Sequence, residues 1–108
     1  MIPTTFSLAG MNFQVKIVDT IQDGNEYGEY SDATNTINVA KQIKENDKLI
    51  DLKLDTMRNT FLHELFHVFQ YYFDNKFDEA QAQVYANFLM EFLQTSTYEE
   101  AVNNSVNY

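Results

Sequence analysis

The sequence predicts an α+β domain, a small antiparallel or mixed sheet packed against a helical hairpin. Three observations predict it. Residues 4–40 alternate apolar and polar positions between turn residues, the period of a half-buried strand. From about Asp55 to Leu93 the chain is dense in Leu, Phe, Ala and Gln and free of Gly and Pro, as helices are. The order is also segregated, strands first and helices second, which belongs to α+β folds rather than to alternating ones.

At 108 residues there is room for one core, so residues 1–108 read as a single domain. An apolar content of 44%, with 15% aromatic, supplies that core despite a net charge of -9. From Thr4 to Val18, Phe6 and Leu8 precede Ala9-Gly10. Phe13, Val15 and Ile17 then share one face and Gln14 and Lys16 the other, which reads as a hairpin. Asp19 to Gly24 holds turn residues. Tyr27–Tyr30 and Thr36–Val39 are two further strands separated by Ser-Asp-Ala-Thr-Asn, a second hairpin. Lys41 to Lys53 is charged and irregular and reads as a loop, with at most a helical turn near Leu49 to Leu52.

Asp55 is the expected N-cap of a helix reaching about Phe73. Asp74-Asn75-Lys76 interrupts the pattern, a second helix runs from about Phe77 to Leu93, and a short helix is expected around Tyr98 to Val102 in the tail.

Sixteen acids against seven bases repel phosphate backbones, so a nucleic-acid partner is excluded and a protein or peptide is expected. The absence of cysteine removes disulfides and thiolate metal sites and fits a reducing compartment. The opening MIPTTFSLAGMNF lacks the basic and apolar regions of a secretion signal, and no apolar run is long enough to span a bilayer. A soluble cytoplasmic protein is the expectation; the oligomeric state is left open.

The two histidines of the chain, His63 and His67, lie one helical turn apart. Residues three and four apart share a helix face, so Thr56, Thr60, His63, His67, Gln70 or Tyr71, and Asp74 form one polar stripe. Phe61, Leu62, Leu65, Phe66, Val68, Phe69, Tyr72 and Phe73 cover the remainder, which predicts a helix with protein on most sides. A buried polar group without a partner costs about 1–3 kcal/mol, and a charge more. A divalent metal meets that need.

His63-Glu64-Leu65-Phe66-His67 has the H-E-x-x-H spacing, which lets two imidazoles point nitrogens at one ion at about 2.0–2.1 Å. Glu64 lies further round the helix, where it can take a proton from a water in the open position of the metal. The third ligand must be a carboxylate, since no His or Cys remains; Asp74, Asp78, Glu79 and Glu91 are the downstream candidates. Glu79 is selected because it shares a face with Ala82 and Ala86, whose small side chains let the helices approach. Asp78 is the alternative.

The chain resembles the ImmA/IrrE-like family of compact zinc metallopeptidases, of gluzincin type, common in phages and mobile elements. YGEYSDATNTINVA is similar to the family's strand pair, TFLHELFHVF to its active-site helix, and EAQAQVYANFL to the helix that follows; together they cover roughly residues 27–93. The resemblance implies a minimal zincin-like fold, zinc as cofactor, His63, His67 and Glu79 as its ligands, Glu64 as general base, and a substrate peptide added to a sheet edge near Tyr27–Tyr30 or Thr36–Val39.

Two departures stand out. His67 and Glu79 are only 79 − 67 = 12 positions apart, so the turn is tight. With the helices side by side, Glu79 is expected level with Tyr71, about 6 Å along the axis from His67, and Gln83 opposite His67. The chain also leaves no room for an appended sensor or DNA-binding domain. Tyr71 and Tyr85 are the tyrosines nearest the stripe, and neither is assigned as a transition-state stabiliser. The competing readings are a metal-stabilised protein-binding module without proteolytic activity and an accessory protein without metal.

Overall fold

The computed structural model describes residues 2–99. It is an α+β fold of six strands and two helices, in the order β1 (Thr5–Leu8), β2 (Met11–Val18), β3 (Gly28–Ser31), β4 (Thr36–Ala40), β5 (Gln42–Glu45), β6 (Lys48–Asp51), α1 (Leu54–Phe73) and α2 (Glu79–Thr95). β1 and β2 form the expected first hairpin, with Leu8 opposite Met11. Ala9 and Gly10 both adopt positive φ, +51° and +79°, as a two-residue turn matched to strand twist requires.

The second hairpin joins β3 to β4 antiparallel, and β4 lies parallel to β2, giving the order β1-β2-β4-β3 in a mixed sheet. β3 is thereby an edge strand. Along β2 and β4 the alternating residues Phe13, Val15, Ile37 and Val39 point to one face. They meet Met57, Phe61, Leu62 and Val68 of α1 and Ala86 of α2 in the core. Phe6 stacks on Phe13, its cross-strand neighbour, with ring centroids 5.0 Å apart. Ile17, expected to share the face of Phe13 and Val15, is exposed near the strand end.

Lys41 to Lys53 is not a loop. It holds the two-stranded sheet β5-β6, turned at Asn46-Asp47 with φ of +53° and +62°. Asn and Asp tolerate this conformation, so the pair satisfies a tight hairpin. α1 begins one residue before Asp55, with Lys53 at the N-cap position. Asp55 instead pairs with Arg58 across the first turn at 3.0 Å.

The last turn of α1 projects beyond the core, with Phe73 88% exposed and Phe69 and Tyr72 partly so; protein surrounds the helix only over its central part. α1 closes on Asn75, whose left-handed φ of +57° ends the helix while its N–H bonds to Gln70 O and Tyr71 O. α2 starts two residues later than expected, at Glu79, and runs to Thr95. The expected tail helix falls largely outside the described residues, and Tyr98 and Glu99 are non-helical. No helix among the described residues is long and apolar enough to cross a membrane.

Candidate metal centre

α1 and α2 run antiparallel through the turn at Asp74–Asp78, and their facing sides bring His63, His67 and Glu79 together. His63 Nε2 lies 2.7 Å and His67 Nε2 3.0 Å from the same oxygen, Glu79 Oε1, and the two Nε2 atoms are 3.1 Å apart. Among the described residues these three form the one group of His, Cys, Asp and Glu side chains whose ligand atoms converge in this way. The rings are inclined at 75°, so both edges address one point.

The hydrogen bonds behind the rings fix what the front edges carry. His67 Nδ1 lies 2.8 Å from Gln70 Oε1, and Gln70 Nε2 donates to Gln81 Oε1 and Asp78 O, so the amide oxygen is the atom facing the ring. His63 Nδ1 lies 2.8 Å from Gln83 Oε1, while Gln83 Nε2 donates to Asn59 Oδ1 and Asn87 Oδ1. An oxygen acceptor requires a proton on each Nδ1, which leaves a lone pair on each neutral Nε2. With both rings neutral, three lone-pair atoms then meet with no hydrogen between them. Such an arrangement repels itself unless positive charge sits among them.

Two imidazoles and one carboxylate, with the outer nitrogens hydrogen-bonded, form a donor set that could hold a divalent metal ion such as zinc. Tetrahedral ligand atoms about 2.0–2.1 Å from zinc stand roughly 3.3 Å apart, so these three would need to spread by roughly 0.2–0.6 Å. Burial raises the pKa of Glu79, yet hydrogen bonds and charge from His63 and His67 outweigh it and hold the carboxyl below its ordinary range.

The centre opens into a cavity of about 700 Å³ between α1, β3 and the start of α2, lined among others by Gly28, Glu29, Thr60 and Gln83. Glu64 lines it too, at 8% exposure. Burial pushes its carboxyl up from 4.5 to about 7, against the charge of His67 and His63 and with that of Glu79 and Glu26. Gly28 explains how β3 comes so near: a Cβ there would lie 2.5 Å from Thr60 Cγ2 and 3.2 Å from Glu64 Cγ.

All four residues expected of the centre therefore border one cavity. Asp78, the alternative ligand, is used otherwise: its Oδ1 accepts the N–H of Gln81 at 2.9 Å as the N-cap of α2. Asp74 Oδ1 likewise accepts the N–H of Lys76. Gln83 stands against His63 rather than His67, because the turn brings Glu79 alongside both rings. Tyr85 packs on Phe66, away from the cavity, and Tyr71 on Tyr30 and Phe77; the tyrosines that line the cavity are Tyr27 and Tyr30.

Two residues were not singled out by sequence reasoning. Gly28 carries a signal only in being a glycine inside a strand pattern. Gln70 lies on the polar stripe, three residues after His67, and its role follows from the amide chemistry available at that spacing. Compared with known proteins, the chain matches no family model, no curated protein and no solved structure.

Proposed function

We propose that the chain is a small zinc metallopeptidase of the ImmA/IrrE-like, gluzincin type, in which His63, His67 and Glu79 hold the ion and Glu64 is the general base. The observation that carries this reading is the meeting of His63 Nε2, His67 Nε2 and Glu79 Oε1 within 3.1 Å of one another beside a cavity that Glu64 also lines. Zinc bound by such a set supplies a Lewis acid that makes water acidic enough to attack a carbonyl near neutral pH.

Glu64 supplies the proton acceptor. Its carboxyl, pushed up to about 7 by burial, is matched to taking and returning a proton at neutral pH. As the water oxygen bonds to the peptide carbonyl carbon, the proton it loses goes to a Glu64 carboxylate oxygen. That proton then passes to the amide nitrogen as the C–N bond breaks, leaving an acid, an amine and Glu64 as it began. An extended peptide or protein segment is the proposed substrate, since β3 is an edge strand among the described residues and its residues Gly28 to Tyr30 line the cavity. A cytoplasmic setting accords with a chain that has no cysteine.

The test is Glu64→Gln, assayed by mass spectrometry on a library of unstructured peptides, together with elemental analysis. The variant is expected to keep one zinc per chain and to lose cleavage by a factor on the order of 100 or more. Wild-type cleavage by the variant would overturn the role of Glu64. Absence of zinc from the wild type would overturn the metal reading, and zinc without cleavage in the wild type would leave a metal-stabilised protein-binding module in its place.

A further inference from the structure

We infer that Gln70 is a positioning residue that sets two of the three metal donors at once, His67 through its ring and Glu79 through the backbone just before it. The inference rests on the metal reading above and concerns how the ligands are held in place. Gln70 is buried, on α1, and its amide makes four contacts. Oε1 faces His67 Nδ1 at 2.8 Å and accepts Asp78 N–H at 3.2 Å. Nε2 donates to Asp78 O at 3.2 Å and to Gln81 Oε1 at 2.8 Å. A primary amide has two acceptor sites and two donors. All four are used, so the group cannot flip without losing bonds.

Both backbone groups of Asp78 are thus bound by one side chain. Asp78 is the N-cap of α2 and directly precedes Glu79, so the contact fixes where α2 begins relative to α1. The same oxygen that anchors α2 holds the proton of His67 on Nδ1 and turns its Nε2 toward Glu79. Gln83 differs. It reaches only His63, and its own anchors are the side chains of Asn59 and Asn87. Glutamine suits position 70 where glutamate would not, because a carboxylate keeps the two acceptors but loses the donors that hold Asp78 O and Gln81.

The test reads ring tautomers and zinc affinity in protein prepared metal-free. With ¹⁵N-labelled histidine at alkaline pH, long-range ¹H–¹⁵N correlation of the wild type is expected to show His67 protonated on Nδ1. Gln70→Leu is expected to lose that signature and to weaken zinc binding, measured by chelator competition, by roughly 10- to 100-fold. Gln70→Glu is expected to retain the His67 signature with a smaller loss of affinity, and Gln83→Leu to alter the His63 signature alone.

A wild-type His67 protonated on Nε2 overturns the inference, as does Gln70→Leu with unchanged tautomer and unchanged affinity. Should Gln70→Leu not fold, the wild-type tautomer and the Gln70→Glu variant decide. Should the wild type bind no zinc, the metal reading falls by itself, while the tautomer measurement still decides whether Gln70 orients His67.

Discussion

In the proposed mechanism Glu64 must be charged when it accepts a proton, yet it is buried where charge is disfavoured. That conflict has a thermodynamic signature in the metal-free protein. With its carboxyl pushed up from 4.5 to about 7, the folded chain retains a proton that the unfolded chain releases as pH rises between those values. Stability is therefore expected to fall with rising pH across that window and to level off above it. The loss is on the order of 3 kcal/mol, since each tenfold change in proton affinity is worth about 1.4 kcal/mol. Urea titrations of chelator-treated protein at pH 4.5, 6 and 8 measure the slope. Glu64→Gln should flatten that part of the curve, and an equally steep curve in the variant would show that the buried carboxyl is not its source.

Between elements, β3 fits closely against α1 at Gly28. An alanine at Gly28 meets the methyl of Thr60 at 2.5 Å and the stem of Glu64 at 3.2 Å, and Thr60 is a β-branched residue with little freedom to turn away inside a helix. Gly28→Ala is expected to cost about 1–3 kcal/mol, read as a lower urea midpoint, and Thr60→Ser in the same chain should recover much of it. A midpoint unmoved by Gly28→Ala would mean that β3 and α1 sit further apart. Elements with strong periodicity were legible in the sequence: Phe13-x-Val15 and Ile37-x-Val39 announced the inner strands, and the H-E-x-x-H spacing announced that the rings of His63 and His67 meet on one helix face. What was not legible depends on a few dihedrals. Asn46-Asp47 turns a charged segment into a hairpin because both residues accept positive φ, and that choice outweighs the irregular pattern of Lys41 to Lys53. The two-residue offset of α2 has a similar origin, in the cap that Asp78 makes with Gln81. The contacts of Gln83 could not be ranked by counting along an ideal hairpin, since the turn at Asn75 shifts one helix relative to the other.

The whole molecule is elongated, 56 × 29 × 24 Å, with the outer faces of α1 and α2 carrying exposed aromatic residues such as Phe73 and Phe88. Much of α2 thus lies outside the main core, held by Ala82 and Ala86, by Leu89 and Met90 packed against the core, and by polar contacts to α1. An ion bound as proposed would then supply a substantial fraction of the stability. At free zinc one hundred times its dissociation constant, the metal-bound protein is expected to gain about 2.7 kcal/mol over the chelated one, read as a higher unfolding midpoint, and Glu79→Ala should lose most of the difference. Equal midpoints with and without zinc in the wild type would count against the donor set. The outermost donors, His63 and Glu79, are only 16 positions apart along the chain. Closing so short a span costs less chain entropy than closing a longer one, so an ion held as proposed would tie α1 directly to α2 across their turn with little further chain to order.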